Sequence, residues 1–362
     1  MRGRSAVGSA EPCQGSGRGF EPRRPLAGGV AERRGSGLQI PLHGFKSRLH
    51  LKVQRITTLF EIELSMFFAI DIGGTKVAIA KVSERFEVVK KLEIPVPKSQ
   101  DVWANISPII KDFFNSNDLE KSHPVGISTA GPINLEKGEI SPVNIPSWRN
   151  FPLIDNVKKL LEVEKVSMIG DAAAIAIAEH TVGAGQGLTD FLGATVSTGV
   201  GGGVIINNQI YLGTTGNSAF FGHTRINLAG NVCPCGRLDC VELYASGPNL
   251  VRTANKLEIA VENFEELTKL ALSGNDLAKQ IIDNGAKAMA IGIINFFCDF
   301  DINTAIVGGG VMQSSEFYRT ALQAHMNKEA EKVQFIGKPK LIPAKLERDT
   351  CLIGAAIWAS KQ

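Results

Sequence analysis

MFFAIDIGGTKVAIAKV (66–82) and ATVSTGVGGGVII (194–206) are two copies of one plan. In the first, an apolar run at 66–70 meets the turn DIGGT and resumes as a β-rich run at 77–82. In the second, residues 194–196 lead into STGVGGG (197–203), and the β-rich run resumes at 204–206. Apolar and β-branched residues on both sides of a glycine cluster predict strand, turn, strand. Two such units predict a duplicated α/β architecture with two facing halves.

The glycines have a physical purpose. A residue without Cβ lets the chain turn sharply and lets backbone N–H groups approach an anion. Gly73, Gly74 and Thr75 in the first loop, and Ser197, Thr198, Gly199, Gly201 and Gly202 in the second, are candidate contacts to nucleotide phosphates. Asp71 stands where a carboxylate holds Mg²⁺ through water, and the hydroxyls of Thr75 and Thr198 add donors. A glycine-rich hairpin without a ligand explains either loop alone; the matched pair is the stronger signal. Neither loop is a G-x-x-x-x-G-K-[ST] phosphate loop or a G-x-G-x-x-G dinucleotide fingerprint. A third run, VGGGV (307–311), follows a short apolar strand at 304–307 and precedes a helix-like segment at 314–332. Ligands of α/β folds bind at the C-terminal ends of strands. Gly308 and Gly309 are therefore candidates for the adenosine part of a nucleotide, a plain strand-to-helix turn being the alternative.

The segment GHTRINLAGNVCPCGRLDCVE (222–242) carries one imidazole and three thiols, His223, Cys233, Cys235 and Cys240. That set closes a tetrahedral structural site for Zn²⁺. Cys233 and Cys235 are too close in sequence for an easy mutual disulfide, and nothing in the chain argues for an oxidising compartment. A cytoplasmic protein is the expectation.

Asp171 follows a short apolar strand at 166–169 and opens a helix at 172–180. Asp is a favoured N-cap, and position alone favours that role. A carboxylate in the same place also serves as a general base, taking the proton of an attacking hydroxyl. Asn144 and Trp148 in the loop NIPSW, together with His223 and Glu242, are candidates for lining a sugar. An indole packs on a pyranose face, and a zinc-bound imidazole has a second nitrogen to offer.

The 362 residues are 44% hydrophobic and 21% charged, which suits a globular chain of two or three domains. The net charge of +3 is uneven. Residues 1–65 hold eleven Lys and Arg against five Asp and Glu, and the remainder is mildly acidic. The folded part therefore has no basic nucleic-acid footprint, and no run of uncharged apolar residues is long enough to predict a membrane span. Residues 1–39, rich in Gly, Ser, Arg and Pro, are expected to be disordered. The extension is a targeting peptide, a regulatory tail, or sequence upstream of a true start at Met66. It shows no convincing helix-turn-helix.

In order along the chain, DIGGTK (71–76), STAGP (128–132), NIPSW (144–148), the Asp171 segment, VSTGVGGGV (196–204), GHT (222–224), CPCGRLDCVE (233–242) and VGGGV (307–311) resemble the ROK family of bacterial sugar kinases. The resemblance covers residues 66–362, and its cysteine motif is the most specific part. It implies an actin-like, ribonuclease H-like fold of two lobes: 66–180 with a terminal helix at 350–362 packing back, and 181–349 with the zinc site. Residues 1–65 would stand outside both.

The resemblance also implies ATP, Mg²⁺ and structural Zn²⁺ as cofactors, a small-molecule sugar as partner, and a homodimer. Asp171 matches the base that deprotonates the sugar 6-hydroxyl. Lys76 joins the first phosphate loop, and Gly131, Asn144, His223 and Glu242 match sugar contacts. The segments VSTGVGGGV and GHT are most similar to those of N-acetylmannosamine kinases; NIPSW is equally similar to glucokinases, and an N-acetylglucosamine kinase is a further alternative. Three positions depart from the family pattern: Gly170 in place of asparagine, Phe220 in place of glutamate, and Asp239 in place of glycine.

Overall fold

The computed structural model describes residues 66–97, 101–142, 145–227, 229–346 and 348–362. The expectations for residues 1–65 and for Asn144 lie outside the described residues.

Two five-stranded sheets repeat one topology. The first half contributes β1 (Phe67–Ile72), β2 (Lys76–Val82), β3 (Val88–Pro95), helix α1 (Val102–Asn115), β4 (Val125–Thr129), a small hairpin of β5 (Ile133–Asn134) and β6 (Glu139–Ile140), α2 (Leu153–Leu161), β7 (Val166–Gly170) and α3 (Asp171–Val182). The second contributes β8 (Phe191–Val196), β9 (Val200–Ile206), β10 (Gln209–Tyr211), α4 (Val241–Ala245), α5 (Gly247–Lys256), α6 (Phe264–Leu272), α7 (Asp276–Phe300), β11 (Thr304–Gly308), α8 (Gly310–Ser314), α9 (Glu316–Ala330), β12 (Lys340–Pro343) and α10 (Thr350–Ser360). The sheet orders are β3-β2-β1-β4-β7 and β10-β9-β8-β11-β12. In each, the first three strands in sequence form an antiparallel meander, the fourth adds in parallel to its first strand, and the fifth adds in parallel to the fourth. The duplicated plan predicted from the glycine loops is the plan observed.

Alternation along β1 and β2 decides what each face of the first sheet receives. Phe68, Ile70, Ile72, Val77 and Ile79 point to one side, where they pack with Ile106, Ile110 and Phe114 of α1. Ala69, Ala78 and Ala80 point to the other, against Leu352, Ala355 and Ala356 of α10. Large residues face the outer helices and small ones face the central helix, a period-2 pattern that only a strand produces. Helix α3, from the first half of the chain, lies in turn against the second sheet. A Cβ added to Gly193 or Gly203 there would stand 2.7 Å from Ala176 or Ala173. Helices α3 and α10 touch each other through Ala173, Ala174, Ile177, Ile353 and Ile357. Both are apolar all round their circumference, as buried helices are.

The second glycine turn is shorter than the sequence predicts. Residues 197–199 make the turn, while Gly201, Gly202 and Gly203 lie inside β9. They are small because neighbours press on them: Ala172 on Gly201, Phe221 on Gly202 and Ala173 on Gly203. Trp148 also differs from expectation. It is 2% exposed and stacks on Phe151 at 4.5 Å, so its indole is core rather than a platform for sugar. The long helix α7 has the length and composition to cross a membrane, but 67% of its most apolar window is buried in the second half.

Glu179 is a buried carboxylate outside the predicted site. It is fully inaccessible and accepts hydrogen bonds from Ala184 N at 2.7 Å, Lys345 N at 3.2 Å and Leu346 N at 2.7 Å. Three amide donors replace the water it lost, and they tie α3 to the segment leading into α10.

Candidate active site

The parallel strands β1, β4 and β7 end in register, with Ile72 opposite Thr129 and Thr129 opposite Gly170. That alignment brings Asp71, Ser128 and Asp171 to one edge, the C-terminal edge at which α/β sheets bind ligands. Burial pushes Asp71 up to about 7; the nearby Asp171 charge adds to the rise, while Ser128, Lys76 and Cys351 oppose it. Burial also raises Asp171, against the hydrogen bond it accepts from Ala172 N at 2.7 Å. The capping expectation for Asp171 is corrected: Gly170 is the N-cap residue, and Asp171 is the first residue of α3. Its carboxylate accepts from the backbone amides of Ala172 and of Asp171 itself, at the first turn of the helix.

The first glycine loop is a tight turn, closed by Gly73 N donating to Lys76 O at 3.0 Å. Lys76 pairs with Glu93 at 3.0 Å and lines a cleft of about 360 Å³ with Asp71, Thr195, Gly308, Gly309 and Cys351. Loops two and three abut. Gly309 has φ +96, and a Cβ there would meet Val196 O at 2.4 Å, so only glycine fits. A neighbouring slot of similar volume runs from Ser197 and Thr198 past Gly247, Pro248, Val251 and Phe264 to Gly310 and Val311. Its lining is mostly apolar, a shape and chemistry suited to a flat base. The third glycine run thus divides, Gly308 and Gly309 facing the first cleft and Gly310 the slot.

Glu242, on α4, accepts a hydrogen bond from Val200 N at 3.0 Å. A Cβ on Gly199 would stand 2.7 Å from the same carboxylate, so Gly199 is the residue that admits it. Gly131 lies against Phe220, and Asn217 clamps Ile133 through both its amide N–H and its carbonyl, at 2.8 and 2.6 Å. Asn217 and Cys351 are residues of this region that the sequence does not single out, whereas Ser128 opens STAGP and Phe220 is one of the departures from the family pattern.

His223, Cys233, Cys235 and Cys240 place their ligand atoms within 4.8 Å of one another. Cys233 Sγ lies 3.6 Å from His223 Nδ1, and Cys235 Sγ lies 3.8 Å from Cys240 Sγ. Zinc–sulfur and zinc–nitrogen bonds give tetrahedral edges of about 3.8 Å and about 3.6 Å. The donor set therefore fits Zn²⁺, with Nδ1 toward the ion and Nε2 left over. Burial and the adjacent thiols push Cys240 up to about 12, so the three sulfurs do not ionise together without a cation. Asp239 braces the knuckle. It is inaccessible and accepts from Gly230 N at 2.7 Å, Asn231 N at 3.0 Å and Tyr244 OH at 2.7 Å. Burial alone would raise its pKa, but these donors and Arg225 hold it at about 2. Metal analysis of the purified chain is expected to find one zinc per protein. Cys240→Ser should release it and lower the melting temperature by roughly several degrees, since site binding is folding energy. Protein purified with zinc present yet free of it would refute the assignment.

A model of the ROK family matches residues 67–362. The chain belongs to the ROK family. An N-acetylmannosamine kinase of Escherichia coli O127:H6 (strain E2348/69 / EPEC) is 31% identical over 296 residues, 80% of this chain and 97% of that one. A ROK hexokinase from Thermus thermophilus superposes with a TM-score of 0.72 at 29% identity, over 82% of this chain and 98% of the other. A ROK family glucokinase from Streptomyces griseus, solved with glucose and AMPPNP, gives a TM-score of 0.71 at 29% identity, over 82% and 100%. The fold is the two-lobed actin-like fold, and the protein is an ATP-dependent sugar kinase.

Proposed function

We propose that this kinase transfers the γ-phosphoryl group of ATP to the 6-hydroxyl of N-acetylmannosamine, releasing N-acetylmannosamine 6-phosphate and ADP. The observation that carries the reading is Asp171 beside the first glycine loop at the C-terminal edge of the first sheet, with the second loop and Glu242 together on the second sheet, in a chain 31% identical to an N-acetylmannosamine kinase. Asp171 takes the 6-hydroxyl proton as oxygen O6 bonds to the γ-phosphorus. The bond to the bridging oxygen breaks, and ADP leaves. Burial makes the carboxylate a better base, because the proton it accepts removes a charge from a poorly solvated place.

The apolar slot takes the adenine, and the glycine turns at 73–75 and 197–199 take the phosphates, with Gly73 N and Ser197 N already spent on closing those turns. Asp71 would hold Mg²⁺, which would supply neutralisation of phosphate charge in a reaction of this kind. Catalysis comes mainly from positioning and charge. The zinc knuckle orients His223 and the start of α4, which carries Glu242.

A panel of N-acetylmannosamine, N-acetylglucosamine, glucose and mannose with ATP, followed by ADP release, tests the substrate. The highest kcat/KM is expected with N-acetylmannosamine. A clear preference for glucose would install the glucokinase reading, which the Streptomyces griseus neighbour supports.

Asp71 makes the nucleotide site pH-dependent. Its pKa is raised from 3.8 to about 7, so the folded state binds a proton there between those values and the unfolded chain does not. The stability contributed by this group is full below 3.8 and is lost as pH rises toward 7. Function runs the other way, because only the charged form serves Mg²⁺. Apparent ATP affinity at fixed, subsaturating Mg²⁺ should rise from pH 5.5 and level off above roughly pH 7, and more Mg²⁺ should move the midpoint down. A flat profile would remove Asp71 from the site.

A further inference from the structure

We propose that Asp239 is a clasp that works without the metal: it holds the four-donor knuckle in its binding shape, and through α4 it keeps the second phosphate loop in place. Asp239 is a positioning residue in this reading, and it touches neither metal nor substrate. Its carboxylate is inaccessible, and each oxygen is used twice. Oδ1 accepts from Asn231 N at 3.0 Å and from the Tyr244 hydroxyl at 2.7 Å. Oδ2 accepts from Gly230 N at 2.7 Å and from Arg225 Nη2 at 3.4 Å. None of these donors belongs to His223 or to a cysteine. The backbone of the same residue binds in both directions. Asp239 N donates to Asn231 O at 2.8 Å, and Asp239 O accepts from Ile226 N at 3.0 Å. One residue thus ties the stretch before Cys233 and the stretch after His223 to the neighbour of Cys240. The segments that carry the four metal donors are drawn together by bonds that need no cation.

Tyr244 carries the clasp into α4. Its hydroxyl also accepts from Asn231 Nδ2 at 2.8 Å, so it is fixed on two sides. Two residues earlier on the same helix, Glu242 accepts from Val200 N at 3.0 Å. Just past the helix, Gly247 N donates to Ser197 O at 2.9 Å. The second phosphate loop is therefore held at both of its ends by the strut that Asp239 anchors. A helix of five residues has little stability of its own, so its ends must be fixed from outside. A small metal knuckle ordinarily takes its order from the ion. Here a buried carboxylate with four donors resists opening by itself, because opening leaves those groups to find new partners together. The inference rests on the kinase reading only for the loop at 197–199. What it says of the metal stands apart from that reading.

The test uses the full chain, loaded with zinc or stripped of it by a chelator under reducing conditions and then desalted. Wild type, Asp239→Gly, Asp239→Asn and Tyr244→Phe are compared. Glycine is the cleanest deletion, because Asp239 has φ +53, a conformation that glycine adopts freely. Asparagine keeps the shape and one acceptor oxygen, but turns N–H groups toward other donors. Competition with a chromophoric chelator should show Asp239→Gly binding zinc about ten-fold or more weakly than wild type, with Asp239→Asn between them. Calorimetric titration with AMPPNP and Mg²⁺ reads the loop. Stripping should weaken wild-type binding by less than about threefold, and stripped Asp239→Gly should bind about ten-fold more weakly than stripped wild type. Tyr244→Phe, which cuts the strut from the clasp, should weaken AMPPNP binding in the stripped protein with a smaller change in zinc affinity. Thermal melts accompany each titration; should stripped Asp239→Gly not stay folded, stripped Asp239→Asn carries the comparison. Equal zinc affinity in Asp239→Gly and wild type overturns the clasp. Stripped wild type that no longer binds AMPPNP overturns it too, since the metal then holds the loop. Loaded wild type that fails to bind AMPPNP overturns the nucleotide-loop assignment and the second half of the proposal, while the zinc comparison still decides the first.

Discussion

Asp171→Asn is expected to lower kcat by about 10²–10⁴-fold while leaving the fold and ATP affinity nearly unchanged. The amide is isosteric with the carboxylate. Its oxygen still accepts from Ala172 N, so the first turn of α3 keeps the bond that it has now. What disappears is proton acceptance. Burial raises the pKa of Asp171, and that raised basicity is lost completely in the amide. The remaining rate should come from the phosphate loops and Mg²⁺, as it does in other enzymes stripped of one reacting group. Steady-state kinetics with the preferred sugar, beside a thermal melt, measure both sides. A kcat within about threefold of wild type would mean that another group, or solvent, takes the proton. A large drop in melting temperature would mean that Asp171 chiefly supports the helix.

Gly126→Ala should be among the most disruptive single methyls at the described residues. Gly126 is in β4, and α10 crosses directly above it. An added Cβ would stand 2.0 Å from the carbonyl oxygen of Ala355 and 2.4 Å from its carbon. Both obstacles are backbone, so no rotamer change relieves them. Either the helix lifts from the sheet or the strand buckles. Ordinary overpacking costs about 1–3 kcal/mol. A backbone collision at the centre of the fold belongs to the rare class above about 4 kcal/mol, a large share of the roughly 5–15 kcal/mol that holds a domain together. Gly354→Ala should behave alike, since its Cβ would meet Ala174 O at 2.1 Å, where α10 crosses α3. Gly170→Ala is the control: open space and φ −66 predict a stability change within about 0.5 kcal/mol. Soluble yield and denaturant melts decide the matter. A Gly126→Ala protein melting with wild type would show that the contact is looser than drawn.

These variants also locate the information. Gly126, Gly193 and Gly354 carry no motif, and nothing local distinguishes them from loop glycines. They are small because α3 and α10 each lie on the other half's sheet. Gly201 and Gly203 are pressed by α3 and Gly202 by Phe221, and all three lie in β9 rather than in the predicted loop. Trp148 was misread for a related reason. An aromatic residue in a polar, proline-bounded segment suits a sugar platform as well as it suits the core, until Phe151 and Trp103 are seen to enclose it. Asp171 was legible as a strand-end carboxylate. Its displacement by one position from the cap depends on where the last hydrogen bond of β7 falls, which pattern cannot resolve.

From the sequence alone came the duplication, the strand–turn–strand units, the His-Cys-Cys-Cys set and the ROK resemblance. Each rests on residues adjacent in the chain, where φ/ψ preference, side-chain period and ligand spacing act over a few bonds. Tertiary structure alone decided that α3 lies on the second sheet, why the buried glycines are glycines, that Asp71 and Asp171 share one poorly solvated edge, and that Phe220 stands open beside Gly131. Those depend on contacts between segments far apart in sequence, and burial, the cause of the raised carboxylate pKa values, exists only after the chain has packed.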